Sequence, residues 1–340
     1  MEKLLTISVA AYNVEKYIGR ALDSYINTCV LDYLDIIVVN DGSDDNTKKI
    51  VEEYERKYPN SIRLINQENN GHGSTINKSI QLAKGLYYKI VDSDDTIDKI
   101  GLEKLISFIK NNRNIDIIIN PFNYYDFKTN NLISIKYPFV DIKSVIFNKE
   151  QKFDELNIND INIHSITTRT DILKQKKEKI DENCFYVDVE YVIFQLKYIK
   201  NCISFDYPIY NYYIGDTNQS INIENLIKRR EMHKKVLFRL VNYYNENFND
   251  FSEKTKDIIK NRIGYFMYHQ YKIYLSMGKP KEELIKFDEE LKFKNIDLYR
   301  GNDSIVMKII RLNRLSGYKF INLFMKIFKI YEESVIRNNN

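Results

Sequence analysis

The chain has 340 residues, of which 44% are hydrophobic, so it can bury a full α/β core and still carry a second region. Its 51 basic and 47 acidic residues leave a formal net charge of +4, which excludes the strong whole-molecule field of a typical nucleic-acid-binding protein. The three cysteines, Cys29, Cys184 and Cys202, have neither metal-ligand spacing nor an even number, which favours small buried thiols in a reducing compartment.

The N-terminal run could be mistaken for a secretion signal, because Lys3 precedes the apolar residues 4–11. Thr6 and Ser8 interrupt that run, and it continues directly into polar residues, so a buried first strand explains it better. No stretch of the chain is apolar over the length needed to cross a bilayer. We therefore expect the protein to face the cytoplasm.

Short β-branched runs alternate with helical patterns over the first third of the chain. The predicted pairs of strand and helix are 4–9 with 14–26, 35–39 with 44–57, 62–65 with 74–83, and 87–91 with 99–110. Such alternation predicts a mostly parallel sheet covered on both faces. Ligands of these sheets bind at the carboxyl ends of the strands, and here polar, acidic and glycine residues follow each strand, at 10–13, 40–43, 69–73 and 92–95.

The pattern then changes to antiparallel. After a β-branched run at 115–120, residues 122–127 and 132–137 flank a turn at 129–131, which predicts a hairpin added to the sheet. A polar connection with helical pieces is predicted at 141–173, and residues 185–187 then lead into a predicted helix that ends at about 199. Short aromatic strands follow at 203–205 and 209–213, and helices are predicted from 222 onward.

The acidic run at the end of the fourth strand needs a specific explanation, because Asp92, Asp94 and Asp95 place three carboxylates within four residues. Clustered hard oxygen ligands suit Mg²⁺ or Mn²⁺, which complete their coordination with substrate phosphates. Capping of the next helix by Asp95 or Thr96 explains one acid but not three. A calcium-binding EF-hand loop beginning at Asp92 fails, because Ile97 stands where that loop needs glycine and a strand precedes it.

Two other strand ends offer weaker signals. Asp41 can accept a hydrogen bond from a base N–H or a ribose hydroxyl, although an Asx turn with a helix cap fits the same segment equally well. In the loop at 69–74, main-chain amides around Asn70 and Gly71 and the following helix N-terminus can approach phosphate or sugar. Glycine-rich loops are common, so this loop alone is a weak signal.

Taken in order, these motifs resemble family 2 glycosyltransferases of the GT-A fold over residues 4–215. The matching segments are Ser8-Val9-Ala10-Ala11-Tyr12-Asn13 with Glu15, Val39-Asn40-Asp41-Gly42-Ser43, Asn70-Gly71 with Asn77, Gly85-Leu86-Tyr87 and Val91-Asp92-Ser93-Asp94-Asp95. The resemblance implies an α/β GT-A-like domain at 1–220, a helical extension at 221–340, and inverting transfer from a nucleotide-sugar, usually UDP-linked.

The resemblance also implies roles for single residues. It puts Mn²⁺ or Mg²⁺ on Asp92 and Asp94. The residues that it assigns to the nucleotide-sugar are Ala10, Tyr12, Asn13, Glu15, Asp41, Ser43, Asn70, Gly71, Asn77, Lys78, Asp92 and Ser93. The chain departs from the family at Ala10, where proline is usual, and at Ile76, where an arginine is frequent; Lys78 or His72 can replace that cation.

An inverting transfer needs a base for the acceptor hydroxyl, and in this family it is an acid at a helix start after the hairpin region. The matching position is Asp188. Its neighbour is Val187 where the family has an acid, so Glu190 stays an alternative, and N-capping is the structural explanation of Asp188. The residues expected near the acceptor are Asp95, His164, Glu190 and Gln219, although a lone histidine is more often structural.

The segment at 304–331 has no acidic residue. Its basic residues, which alternate with apolar ones, are Lys308, Arg311, Arg314, Lys319, Lys326 and Lys329. This pattern is typical of a helix on an anionic membrane surface, and equally of a packing helix with a solvated basic face. We expect the extension to mediate either peripheral contact with the inner face of the cell membrane or dimerisation.

The resemblance further implies that the acceptor is a bacterial surface glycan or a lipid-linked precursor. Two alternatives stay open. A nucleotidyltransferase would need a glycine-rich loop with Arg or Lys after the first strand, which Ala10, Tyr12 and Asn13 do not provide. A degenerate binding protein would bind UDP with metal and show no turnover.

Overall fold

The chain forms two compact units, Met1–Asp216 and Thr217–Asn340, which we call the first unit and the helical unit. The structure is a computed structural model that describes residues 1–139, 145–158, 161–215, 223–277, 281–301, 305–315, 320 and 323.

The described part of the first unit contains strands and helices in alternation, followed by a mixed region. Its strands are β1 (Leu5–Ala11), β2 (Leu34–Asp41), β3 (Ile62–Gln67), β4 (Tyr87–Ile90), β5 (Thr96–Ile97), β6 (Ile117–Ile119), β7 (Phe122–Asp126), β8 (Leu132–Lys136), β9 (Glu150–Lys152), β10 (Ile166–Arg169), β11 (Asn201–Ser204) and β12 (Tyr210–Ile214). Its helices are α1 (Ile18–Ile26), α2 (Thr47–Lys57), α3 (His72–Leu82), α4 (Lys99–Asn111), α5 (Thr170–Gln175) and α6 (Asp188–Gln195).

Eight strands form the main sheet, in the order β3-β2-β1-β4-β10-β6-β11-β9. The pairs β3-β2, β2-β1 and β1-β4 are parallel, as the alternation of strands and helices predicts. Every residue of β2 is buried, which is expected of a central strand that is covered on both faces. The predicted fold class, an α/β sheet with an antiparallel part and C-terminal helices, is therefore confirmed.

The predicted hairpin is also present, but it belongs to a second sheet. In that sheet the order is β5-β12-β7-β8, with β7 antiparallel to β8 and parallel to β12. The pairing of β12 with β5 joins Tyr210 to Ile97 and Asn211 to Thr96. This second sheet therefore brings β12 to the chain that directly follows the acidic run.

Two local differences from the predicted elements have clear causes. Helix α1 begins at Ile18 instead of residue 14, because Asn13 has a positive φ of 54° and the carbonyl of Val14 closes a turn with Tyr17 N–H. The expected polar connection at 141–173 has helical turns, but it also contains the strand β10, which pairs antiparallel with β4 and β6.

Helix α3 packs closely against the segment that leads to α6. The amide of Asn77 donates to the carbonyl of Ile180 at 2.8 Å and accepts from Ile180 N–H at 2.9 Å. In the first turn of α3, a Cβ on Gly73 would lie only 1.9 Å from the carbonyl oxygen of Asp181. The absence of a side chain at Gly73 is therefore a condition for this packing.

The described part of the helical unit consists of helices. They are α7 (Ile223–Lys228), α8 (Arg230–Glu246), α9 (Glu253–Ser276), α10 (Lys281–Lys294), α11 (Ile296–Gly301) and α12 (Ile305–Leu315). The fully buried carboxylate of Asp288 joins four of them, because it accepts from Tyr271 of α9, from Tyr299 of α11 at 3.3 Å and from Arg314 of α12 at 2.7 Å.

Helix α12 begins the basic segment whose sequence fits either a membrane-surface helix or a packing helix. Arg314 pairs with Asp288, and Arg311 donates to the carbonyl of Tyr299 at 2.6 Å, so both cations make contacts within the helical unit. Most of the segment beyond Leu315 lies outside the described residues. Among the helices that are described, none is both long and apolar enough to cross a membrane.

Replacement of Gly73 by alanine tests the packing of α3. We expect Gly73→Ala to lower the free energy of unfolding of the first unit by about 1–3 kcal/mol, because the new methyl group overlaps the carbonyl of Asp181. Chemical denaturation measures the change. The control is Gly19→Ala in α1, where the added Cβ has its nearest neighbour at 3.7 Å. Equal effects of the two variants would contradict this account.

Buried His233 predicts acid sensitivity of the helical unit. Burial lowers the pKa of His233 to about 4, so the unfolded chain, with a histidine pKa of about 6.5, binds more protons between these values. Stability is therefore lost as the pH falls from 7, by about 2 kcal/mol from this residue at a pH of about 5. We expect His233→Gln, measured by urea unfolding at both pH values, to reduce this loss. If the stability of His233→Gln depended on pH as strongly as that of the parent, this prediction would be wrong.

Candidate functional site

The carboxyl ends of β1, β2 and β4 lie at one edge of the main sheet, because these strands are parallel neighbours. Strand β10 runs antiparallel to β4, so its beginning lies at this same edge. As a result His164, two residues before β10, faces Asp92, two residues after β4. Residues far apart in the chain therefore meet at the edge where the sequence places the acidic run.

Carboxylates, imidazoles and a phenol converge there. Asp92, Asp95 and His164 each offer one ligand atom within 4.8 Å of the others. His164 Nε2 lies 3.8 Å from one carboxylate oxygen of Asp92, and His72 Nε2 lies 4.0 Å from the other. The hydroxyl of Tyr210 donates to Asp95 at 2.7 Å and accepts from the N–H of Asp92 at 3.1 Å. We call Asp92, Asp95 and His164 the acidic cluster.

The two carboxyl groups of the acidic cluster differ in how readily they ionise. Burial raises the pKa of Asp95, and the charges of Asp94 and Asp92 raise it further. Burial also raises the pKa of Asp92, but the facing His164 and His72 outweigh that effect and lower it. Asp92 is therefore readily ionised, whereas Asp95 beside it resists ionisation. A cation bound between them would stabilise the ionised form of both carboxyl groups.

Aromatic rings fix the orientation of His164. Its imidazole stacks on Tyr212, with centroids 4.6 Å apart and an interplanar angle of 23°. Tyr210 and Phe122 contact the same ring at centroid distances of 4.7 and 5.2 Å. His164 is thus a positioned member of the site, and its position depends on strands of the second sheet.

Sequence reasoning missed Lys89, which lies on β4 and is fully buried. Its ammonium donates to the carbonyls of His164 at 2.9 Å and Ile166 at 3.2 Å. Burial lowers the pKa of Lys89 to about 7. Lys89 therefore links the strand before Asp92 to the segment that holds His164. The detectable signal was a lysine inside an otherwise apolar strand.

The donor set of the acidic cluster fits a divalent cation, since carboxylate oxygens and imidazole nitrogen are ligands that Mn²⁺ and Mg²⁺ accept. The predicted pair was Asp92 with Asp94, and the structure groups Asp92 with Asp95 and His164 instead. Asp94 is exposed at the rim, where its carbonyl accepts from Arg20 at 2.5 Å.

The loops that follow β1 and β2 are bonded to each other through predicted donor-site residues. Asn13 N–H donates to Ser43 Oγ at 3.1 Å, and Asn13 Oδ1 accepts from Asp44 N–H at 2.9 Å. The carboxylate of Glu15 accepts from Asn46 N–H at 2.9 Å. The structure therefore brings Asn13, Glu15 and Ser43 together, and their mutual bonds hold both loops in shape.

Asp41 organises the next loop along the edge. This buried carboxylate accepts from Asn70 N–H at 3.0 Å and Gly71 N–H at 2.8 Å, and from the Gln67 amide at 2.7 Å. Gly71 has a positive φ of 80°, which glycine adopts without strain. Asp41, Asn70 and Gly71 thus form one unit that closes the ends of β2 and β3.

The other residues that were predicted to belong to the site differ in how far they are exposed. Tyr12 is 49% exposed at the end of β1, Lys78 is exposed, Ala10 is half-buried and Ser93 is buried. Asn77 bonds to the segment before α6. Gln219 lies outside the described residues.

The two carboxylates considered for the base differ clearly in position. Asp188 is the first residue of α6 and is exposed, and the N-cap residue is Val187, so capping does not explain Asp188. Glu190 is fully buried and accepts from Asp181 N–H at 2.8 Å, which gives it a role in holding the preceding segment. In that segment Tyr186 has a positive φ of 67°, a strained conformation that is frequent near functional sites.

Comparisons with known proteins agree with this geometry. The family model described as Glycosyl transferase family 2 matches residues 6–175, which is half of the chain. An uncharacterized glycosyltransferase, MJ1057 of Methanocaldococcus jannaschii, is 30% identical over 179 residues, which cover 51% of this chain and 58% of that protein. The teichoic acid poly(glycerol phosphate) polymerase of Staphylococcus epidermidis is 26% identical over 99% of this chain and 46% of that protein.

Among solved structures, S. aureus TarS 1-349 in complex with UDP-GlcNAc has a TM-score of 0.69 at 17% identity, covering 97% of this chain and 92% of that one. This likeness concerns the fold. The chain spans about half the length of the curated relatives it matches. The family model, which accounts for the strand ends and the acidic run, shows that the chain belongs to glycosyltransferase family 2.

Proposed function

We propose that the protein is an inverting glycosyltransferase that moves a sugar from a UDP-linked donor to a hydroxyl of a bacterial cell-surface polymer. The acidic cluster at the edge of the main sheet carries this proposal, because its carboxylates and imidazole fit a cation that binds a diphosphate. The proposed donor site extends from Tyr12 and Asn13 through Asp41 to Asp92, along the carboxyl ends of three parallel strands.

A divalent cation on Asp92, together with Asp94 or with Asp95 and His164, would neutralise the diphosphate as it leaves. The chain's own residues prepare this position. Tyr210 holds Asp92 and Asp95 in place, and Lys89 holds the main chain of His164. Because these contacts exist in the protein alone, little rearrangement is needed when donor and cation bind.

Asp188 is the proposed general base. Its carboxylate is exposed at the start of α6, where it is open to an acceptor hydroxyl. In an inverting reaction the base takes the proton of that hydroxyl as the oxygen attacks the anomeric carbon and the bond to the diphosphate breaks. The buried position of Glu190 supports Asp188 as the stronger candidate.

The donor and acceptor classes rest on the similar proteins. S. aureus TarS was solved with UDP-GlcNAc, which supports a UDP-sugar donor here. The S. epidermidis relative is a teichoic acid polymerase, which supports a cell-surface polymer of the teichoic acid or polysaccharide class. The absence of a glycine-rich, basic loop after β1 speaks against a nucleotidyltransferase.

Metal-dependent turnover tests the proposal directly. We expect the full chain to release UDP from UDP-GlcNAc or another UDP-sugar in the presence of Mn²⁺, and to stop when the metal is chelated. Asp92→Asn should weaken UDP binding with Mn²⁺ by about 10- to 100-fold in calorimetry. Asp32→Asn, a change in an exposed acid just before β2 at the opposite edge, is the control. Metal-dependent UDP binding without any turnover would instead indicate a degenerate binding protein.

The same calorimetry separates the two ligand sets. If Asp94 is a ligand, Asp94→Ala weakens binding as strongly as Asp92→Asn while His164→Ala has a smaller effect. If the acidic cluster is the ligand set, His164→Ala weakens binding as strongly as Asp92→Asn, and Asp94→Ala has the smaller effect. UDP binding that both variants leave unchanged would reject a cation at this position.

Replacement of the proposed base should affect chemistry and not donor binding. We expect Asp188→Asn to lower kcat for transfer by about 10²- to 10⁴-fold while UDP affinity and the melting temperature stay within error of the parent. Glu190→Ala should instead lower the melting temperature, because it removes the buried acceptor of Asp181 N–H. Full transfer by Asp188→Asn would require another base.

A further inference from the structure

The helical unit contains a large cavity that the proposed chemistry does not use. Its volume is about 1010 Å³, and it lies among the end of α8, the turn that follows it, the middle of α9, and α11. Ligand cavities commonly measure about 300–1,000 Å³, so this one exceeds what a single sugar ring needs. We call it the helical groove.

Aromatic and amide side chains dominate the helical groove. Four of its lining residues are aromatic, and four are asparagine. Tyr265 is 55% exposed and Phe248 is 42% exposed, although the neighbouring helices bury most of their aromatic rings. Exposed aromatic surface beside a cavity is a mark of a binding site. Rings that stack on C–H faces, together with amides that bond hydroxyls, suit a carbohydrate.

The walls of the helical groove are held in place by hydrogen bonds and ring contacts. The amide of Asn295 donates to Asn245 at 2.6 Å, and Asn295 Oδ1 accepts from Leu298 N–H at 2.9 Å, which joins α8 to the start of α11. The ring of Tyr265 contacts His269 with centroids 4.2 Å apart. The groove is therefore formed before any ligand arrives, which lowers the entropic cost of binding.

The charge of the residues that line the helical groove indicates which kind of polymer fits it. Among its lining residues, one lysine, Lys260, and one aspartate, Asp297, carry charge, so the lining is close to neutral. A polyanion such as nucleic acid or a phosphate-linked chain would need several basic residues. A neutral oligosaccharide needs the aromatic rings and amides that are present.

We propose that the helical groove binds a neutral oligosaccharide segment of two or more sugar rings. The identification of this segment with a neutral polysaccharide acceptor rests on the proposed function, whereas carbohydrate binding itself does not. Tyr265 and Phe248 provide stacking surfaces, and Asn249 and Asn261 provide amides for hydroxyl groups. Such a site holds a growing chain near the enzyme and raises the effective concentration of its acceptor end.

Binding of a defined probe to the full chain tests the helical groove. Tri-N-acetylchitotriose and maltotriose are titrated by calorimetry and by saturation-transfer NMR, without donor or metal. We expect at least one of them to bind, and Tyr265→Ala and Asn261→Ala each to weaken it about tenfold, the equivalent of 1.4 kcal/mol. The control is Phe293→Ala, which removes a ring that is 93% exposed on α10 and does not line the groove; it should bind like the parent.

Three results would overturn the proposal. The first is that neither oligosaccharide binds to the folded chain at millimolar concentration. The second is that a glycerol phosphate oligomer binds more tightly than either oligosaccharide. The third is that the parent sediments as a dimer and Tyr265→Ala as a monomer, which would assign the groove to a second copy of the chain. Asp92→Asn separates this test from the proposed function. If it retains oligosaccharide binding while UDP binding is lost, the groove acts independently of the donor site.

Discussion

The chain that follows β4 sets the buried carboxyl group of Asp95 beside the partly buried carboxylate of Asp92, and much of the first unit supplies partners for them. Tyr210 donates to Asp95, His164 and His72 face Asp92, and the amide of Tyr213 donates to Asp95 at 2.8 Å. Buried carboxylates are stable only when such partners are present. The second sheet and the segment just before β10 therefore do more than extend the fold, since each supplies a partner to these acids.

The regular half of the first unit could be predicted because its signals are local. Each strand from β1 to β4 is a short run rich in β-branched or aromatic residues that precedes an amphipathic helix, and this order alone implies a parallel sheet. The second sheet and β10 could not be predicted in the same way. Ile166–Arg169 is only four residues long, and its partners lie 47 to 82 residues away in the chain. Pairing over such distances depends on tertiary packing and leaves no periodic pattern.

In the candidate site, the motif residues predicted which loops lie together at the edge of the sheet. They did not predict which contacts the side chains of these loops make. Asp41, Asn77 and Glu15 were assigned to the donor, and in the protein each also bonds a neighbouring loop. His164 was a weak candidate in the sequence because nothing local marks the three rings around it. Lys89 was missed since a single lysine in a strand usually points to solvent. These cases share one reason: burial is a property of the fold, which one sequence does not display.

The insertion of β10 between β4 and β6 has a consequence for biosynthesis. A nascent chain that has emerged through β4 contains all the partners of the parallel half and can fold it from contacts of short separation. The ammonium of Lys89 and the free edge of β4 must wait for residues that are translated about 75 positions later. Until then the partly made protein exposes an unpaired strand edge beside three carboxylates, and like-charge repulsion there discourages association with other chains.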